Sequence, residues 1–364
     1  MAAQENIQLT EIMFGSVLSR AVSAVAEFGV ADLIEPGSPR PVAELAAATG
    51  CHEHALYRCL RYLASHDIFV EDPQGAFGLT PLAAALRTDA EGSFRSGARM
   101  LGHMFPAVAE LENTLRDGEN GIVKFLGQPL FEYLPNHPEL AAIFDGGMTT
   151  IHGSETPAML QAFDFSGIAT FADVGGGNGS LLTSVLLKYP AMKGILFDLG
   201  HVIERATANL QKAGLSDRYE VREGSFFDAF PEGADAYLMR HIIHDWDDQQ
   251  SIQILKNCRA VIPPHGRLFI VEAVVPAGNA TSPAKEFDMA MLIYPGGMER
   301  TEAEYRSLFA AAGFELVGVT PTASAASVDL PAAGGPISWM TTAGGSGQSA
   351  VAKSTPMPKH SCEV

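Results

Sequence analysis

The run Phe171-Ala-Asp-Val-Gly-Gly-Gly-Asn-Gly-Ser180 joins one acid to four glycines, Gly175, Gly176, Gly177 and Gly179. Apolar residues lead into it, and Leu181–Leu187 reads as a helix, so the stretch predicts a strand, a bare-backbone turn and a helix start. Such a crossover binds anions or nucleotides, because glycine lets a ligand approach the backbone and the helix N-terminus presents free N–H groups. The spacing narrows the ligand. The dinucleotide pattern G-x-G-x-x-G fails, since Ser180 stands where the third glycine belongs, and no G-K-[ST] follows to make a phosphate loop. Asp173, ahead of the first glycine, would repel a pyrophosphate and suits a cationic ligand. Asp198 closes the next apolar run, Gly194-Ile-Leu-Phe-Asp198, where a carboxylate can hold two ribose hydroxyls.

A second group lies in Arg240-His-Ile-Ile-His-Asp-Trp-Asp-Asp248. His244, just past a strand end, can take a proton from an acidic hydroxyl, above all if a carboxylate orients its ring. Glu272, at the next strand end, and Glu299, before Arg300-Thr301, are the candidate orienters. Two plainer readings stand beside this one. His244 could be a loop histidine bonded to Asp245 or Asp247, or His241 and His244 could pair on a metal. On a strand-to-loop segment those two side chains are expected to diverge, so no metal is expected.

These residues need a frame. From 166 onward the chain alternates as a parallel α/β sheet does. Strands are predicted at 171–174, 194–198, 219–222, 235–239 and 267–272, with helices at 180–189, 202–213 and 248–261 between them. A helix at 284–293 follows, then Thr301-x-x-Glu304 as a capping box for a helix over 302–312, and a strand over 314–319. Ligands of such sheets collect at the carboxyl ends of the strands. There stand Asp173, Asp198, the 224–228 loop, Arg240, His244 and Glu272.

Upstream, residues 9–34 carry apolar side chains at helical spacing on a face too wide for one neighbour, which a partner subunit could cover. Residues 41–86 read as helix, turn, helix and hairpin, a winged helix. Its second helix offers Arg58 and Arg61 but few other cations, so the module reads as structural or dimerising rather than as a DNA reader. Residues 94–160 look helical and hold Met100, Met104, Met148, Met159, His152 and several phenylalanines. Such side chains fill cores, and methionine also adapts to flat aromatic ligands.

The chain has 364 residues, enough for two domains, and its 47% hydrophobic and 18% charged content is that of a globular protein. A net charge of −18 argues against nucleic acid or anionic membranes as partners. Cys51, Cys59, Cys258 and Cys362 form no C-x-x-C pair, which suits a reducing, cytoplasmic setting. The N-terminus lacks the basic region of a secretion signal, and no uninterrupted apolar run long enough for a bilayer is evident. Residues 322–364, rich in Ala, Gly, Ser, Thr and Pro, read as a loosely ordered tail.

Asp173-Val-Gly-Gly-Gly-Asn-Gly, Gly224-Ser-Phe-Phe, His241-Ile-Ile-His-Asp-Trp-Asp-Asp and Gly296-Gly-Met-Glu-Arg-Thr together resemble S-adenosylmethionine-dependent small-molecule O-methyltransferases. The likeness is to caffeate-type plant enzymes and their bacterial counterparts in aromatic and polyketide natural-product pathways, and it covers about residues 10–320. It implies a class I methyltransferase fold, a Rossmann-like seven-stranded sheet behind a mostly helical winged-helix domain that makes a homodimer. The implied division is 1–105 for dimerisation, 106–165 as a helical connector, 166–330 for the cofactor and catalysis, and 331–364 as tail. It implies that Asp173, Gly175 and Gly177 hold the amino-acid end of S-adenosylmethionine and Asp198 its ribose. Ser225, Phe226 and Arg240 would stand around the adenine and carboxylate. His244 would be the base, with Glu272 and Glu299 aligning it. Met148, His152, Met289 and Ile293 would line the pocket for an aromatic substrate. Two departures stand out: Ser225 replaces the family's usual Asp, and the last strand is reduced to Ala326-Ser-Val-Asp-Leu330. Methylation at nitrogen, a non-methylating hydroxylase or decarboxylase on the same fold, and a winged-helix regulator are the competing expectations.

Overall fold

Three short strands precede the main sheet in the computed structural model, which describes residues 2–153, 155–322 and 337–343. They are β1 (Arg40–Pro41), β2 (Phe69–Glu71) and β3 (Ala76–Leu79), paired antiparallel in the order β1-β3-β2. The β2–β3 turn is set by Asp72, whose Oδ1 accepts the N–H groups of Gln74 and Ala76, each at 2.9 Å. With the helices Val42–Thr49 and Glu53–Ala64 they form the expected winged helix, packed through Leu45, Leu56, Leu60, Leu63 and Phe77.

The main sheet follows: β4 (Thr170–Val174), β5 (Lys193–Asp198), β6 (Tyr219–Glu223), β7 (Ala236–Arg240), β8 (Arg267–Glu272), β9 (Glu315–Thr322) and β10 (Ile337–Ala343). Their order is β6-β5-β4-β7-β8-β10-β9. β4 to β8 run parallel, and β10 lies antiparallel between β8 and β9. β4, β7 and β8 are buried on both faces, which is why they read as unbroken apolar runs. One face packs Ala172, Val174, Met239 and Ile270 against Ile254, Leu255, Leu308 and Phe309. The other packs Phe171, Leu238, Phe269 and Val271 against Leu182, Val185 and Phe165. The chain winds outward from β4 through β5 to β6, then returns to place β7 on the other side of β4. That reversal opens a crevice at the carboxyl ends of β4 and β7.

Three findings depart from the sequence reading. The seventh strand is Ile337–Ala343, inside the stretch expected to be tail; the run 326–330 lies outside the described residues. Its apolar and β-branched residues sit between two Gly-rich segments, whose composition masked them. The first helix starts earlier than expected, at Ala2, and runs to Glu27. Within it Gln4–Glu27 is, by length and a hydropathy of 1.3, able to cross a bilayer, where no such stretch was expected; Glu11 and Arg20 interrupt it. Its end packs Val25 and Ala26 on the winged helix, while Ile12, Met13 and Phe14 are 65%, 73% and 56% exposed, a face that needs a further partner.

Candidate active site

The glycine turn lies in the crevice after β4. Gly175, Gly177 and Gly179 have φ of 68°, 57° and 73°, left-handed values that side chains resist. A Cβ on Gly175 would strike Ile242, and one on Gly176 would strike Leu196. Asp198 Oδ2 accepts the N–H of Gly177 at 2.8 Å, so the end of β5 fixes the turn. Asp173 is 2% exposed, and its Oδ2 has no hydrogen-bond partner. Burial pushes its carboxyl up to about 7; Arg240 opposes this and Asp198 adds to it. A buried, unsatisfied carboxyl oxygen beside a bare turn has the charge and the space to accept an ammonium group. The residues therefore fit the amino-acid end of S-adenosylmethionine.

Around the same crevice, Ser225 Oγ accepts the N–H of Phe227 at 3.2 Å and so shapes the loop after β6. The ring of Phe226 meets Trp246 edge-on, centroids 6.0 Å apart. Arg240, at the end of β7, donates from Nη1 to Thr156 Oγ1 at 2.8 Å.

The loop after β7 turns sharply at His241, whose φ is 53°. Oε1 of Glu272 accepts three successive N–H groups there, from Ile242, Ile243 and His244, at 3.1, 2.8 and 3.3 Å. The ring of His244 bonds through Nδ1 to Glu299 Oε1 at 2.7 Å, and Asp288 in turn accepts the N–H of Glu299 at 3.0 Å. The two glutamates thus divide the work: Glu299 orients the ring, while Glu272 chiefly holds the backbone, its Oε2 lying 3.4 Å from Nδ1. Arg300, 1% exposed, locks the loop by donating to the carbonyls of Ile243 and Trp246 at 3.2 and 2.9 Å and to Asp248 at 3.0 Å. A Cβ on Gly297 would collide with the His244 carbonyl, so glycine is needed for this close approach.

Burial disfavours charge on His244, but Glu272, Asp245 and Glu299 outweigh it and push the imidazole up to about 10. Burial raises Asp245 to about 7, with Glu272 and Glu299 adding to the effect and His244 opposing it. Glu272 is held below the usual carboxylate range by His244 and His241 in spite of burial, whereas burial raises Glu299.

His241 and His244 do not diverge as expected. The left-handed turn at His241 brings their rings to 5.1 Å between centroids. His241 Nε2 meets Glu155 Oε2 at 2.8 Å, and Glu155 Oε1 meets His152 Nδ1 at 3.1 Å. His152 also stacks on His241 at 3.9 Å. The sets His152–Glu155–His241 and His241–His244–Glu272 each bring three potential ligand atoms within 4.8 Å. The Glu155 contacts are at hydrogen-bond length, and we read both sets as imidazole–carboxylate pairs. Glu155, Thr156 and Arg300 were missed in the sequence. An acid three residues after His152 was the available signal for Glu155. Of the other pocket residues, Met148 and Ile293 share one cluster with Met100 and Met104, while Met289 is 42% exposed and stands apart from it.

A parallel α/β sheet with an antiparallel edge pair, an acid-headed glycine turn and a winged-helix domain define a class I methyltransferase. More narrowly, the chain belongs to the O-methyltransferase family: the O-methyltransferase domain matches residues 108–315 and the O-methyltransferase dimerisation domain residues 10–89. It is similar to the phenazine O-methyltransferase PhzM of Lysobacter antibioticus, 40% identical over 321 residues, 88% of this chain and 94% of that one. The solved structure of LaPhzM superposes with a TM-score of 0.87 at 38% identity, covering 93% of this chain and 99% of that one. The O-methyltransferase NcsB1 from neocarzinostatin biosynthesis, solved with S-adenosylmethionine and 2-hydroxy-5-methyl naphthoic acid, gives 0.78 at 31% identity over 90% of this chain and 95% of that one. This chain is an S-adenosylmethionine-dependent O-methyltransferase. Its dimerisation domain makes it a homodimer, and the exposed face of the first helix lies within that domain from residue 10 onward.

Proposed function

We propose that this enzyme methylates a phenolic hydroxyl of a planar, polycyclic aromatic natural product in the cytoplasm, with His244 as general base. One observation carries this reading: Nδ1 of His244 is committed to Glu299 at 2.7 Å, so Nε2, with Asp245 Oδ1 at 3.5 Å, is the nitrogen to meet an acceptor hydroxyl. The relatives named above act on a phenazine and bind a hydroxynaphthoic acid, both flat and hydroxylated.

S-adenosylmethionine, when bound, supplies an electrophilic methyl group. Asp173 and the turn at Gly175 and Gly177 would hold its amino-acid end, Asp198 its ribose, and Ser225, Phe226 and Arg240 its remaining polar and adenine groups. His244 takes the proton of the acceptor hydroxyl as oxygen attacks. Glu299 stabilises the imidazolium that results, and Glu272 keeps the loop still. Met148, His152, Met289 and Ile293, with the 106–165 connector, would shape the aromatic pocket.

The test is to incubate the purified dimer with methyl-labelled S-adenosylmethionine and a panel of hydroxyphenazines and hydroxynaphthoates, and to locate the label by mass spectrometry and NMR. Label on a phenolic oxygen is expected. Label on nitrogen, or on none of the panel, would refute the acceptor class.

A further inference from the structure

Glu272 stands between two imidazoles. Its Oε2 lies 3.4 Å from Nδ1 of His244 and 3.7 Å from Nδ1 of His241, is buried, and accepts no hydrogen bond. Nδ1 of His241 is likewise buried and without a hydrogen-bond partner. The far side of His241 is anchored by Glu155 at 2.8 Å, and that acid arrives from the segment beside His152, 86 residues away in sequence. Two carboxylates therefore face His241 from opposite edges, one of them shared with the base.

We propose that His241 is a positioning residue for proton transfer: as an imidazolium anchored by Glu155, it shares the charge of Glu272 with His244 and so holds down the proton affinity of the base. This rests on the reading of His244 as that base. Around His244 stand Glu272, Glu299 and Asp245, and the two glutamates also act on the buried Tyr305 hydroxyl, with Arg300 opposing them. Around His241 stand Glu155, His152, Glu272 and His244, while Arg240 acts on His152 from the neighbouring strand end. With His241 uncharged, three carboxylates would act on one imidazole with no cation to offset them. With that cation gone, the share of His244 free of its proton at any given pH would fall further.

The charge on His241 agrees with its surroundings. Burial and the charge on His244 work against it, but Glu155 and Glu272 push it up to about 9. His152, buried against that cation, is pressed down to about 4 and stays neutral, so it stacks on His241 without adding charge.

The test follows the ring titration of His244 by NMR on histidine-labelled, S-adenosylhomocysteine-bound dimer, beside the pH dependence of kcat/KM. His241→Asn removes the charge and keeps a residue that tolerates positive φ. Glu155→Gln keeps the ring but withdraws its anchor, so His241 loses its proton. Both variants are expected to raise the His244 midpoint by about one pH unit or more, since like charges about 5 Å apart at an effective dielectric of about 20 repel this strongly. The acid limb of kcat/KM should move up with it. A merely structural role would lower kcat and leave the midpoint in place. A midpoint that stays or falls in either folded variant overturns the proposal, and if His241→Asn does not fold, Glu155→Gln decides alone. A wild-type profile with no limb at the His244 midpoint would instead sink the base assignment, leaving the titration to judge His241.

Discussion

Nδ1 of His244 and Oε1 of Glu299 lie 2.7 Å apart, and this contact decides which ring nitrogen is free for chemistry. Removing the ring removes the only imidazole so oriented among the described residues. His244→Ala should lower kcat for a phenolic acceptor by about two to four orders of magnitude. Calorimetric affinity for S-adenosylhomocysteine should hardly change, because the contacts proposed for that ligand lie at the glycine turn. Undiminished turnover would take His244 out of the base role.

Glu299→Gln tests the same contact from the other side. The carboxylate raises the proton affinity of His244, so the amide should move the acid limb of kcat/KM to lower pH. It should also cost roughly 10- to 100-fold in kcat, because the imidazolium formed during transfer loses its counter-charge. This shift is opposite in sign to that expected for His241→Asn. An unmoved limb would mean that Glu299 only fills space.

Asp173 makes a linkage prediction. Burial holds its carboxyl up to about 7, so near neutrality the ligand-free chain keeps part of a proton there. An ammonium group seated against Oδ2 favours the ionised form and drives that proton off. Binding of S-adenosylhomocysteine at pH 6.5 should therefore release up to about one proton, a release that fades above pH 8. Calorimetry in buffers of different ionisation enthalpy measures it. Asp173→Asn should abolish the release and weaken binding; a wild-type enthalpy independent of buffer would contradict the seat.

Much of this was legible because it is local. The glycine turn, Asp173 and Asp198 announce themselves through neighbours within a few residues, and β4, β7 and β8 through unbroken apolar runs. His244 and Glu272 stood out at successive strand ends and Glu299 before Arg300-Thr301, and the resemblance then implied a base with two aligning carboxylates. The division of labour between the two glutamates was not legible, since it depends on which oxygen faces three N–H groups and which faces a ring. The Glu155–His241 pair was hidden more deeply. It joins residues 86 apart, and it needs His241 in a left-handed turn that a non-glycine sequence does not advertise. β10 was hidden by composition, a strand-forming run inside an Ala- and Gly-rich segment.

The exposed face of the first helix predicts an effect on assembly. Ile12 and Met13 are 65% and 73% exposed in the single subunit and lie within the dimerisation domain, which makes this apolar surface the candidate interface. A glutamate at either position must be buried without a counter-charge if the dimer forms. Ile12→Glu with Met13→Glu should convert the dimer to monomer at micromolar concentration, read by light scattering after size exclusion. A variant that remains fully dimeric would place the interface elsewhere.

β10 tests the architecture behind the site. It separates β8 from β9, pairing Met340 with Ile270 on one side and Val319 on the other, and its Ser338 is paired with Glu272 itself. A proline at its centre has no N–H for the ladder, and its ring resists a central-strand position. The buried ladder bond left unmade costs about 1–3 kcal/mol, which in a domain of this size lowers Tm by roughly 2–10 °C. Met340→Pro should show that drop in calorimetry. It should also lose activity beyond what stability explains, because β8 carries Glu272 at its end and Glu272 holds the backbone of His244. If Tm is unchanged, residues 337–343 are not the strand that completes the sheet, and β8 must be supported in another way.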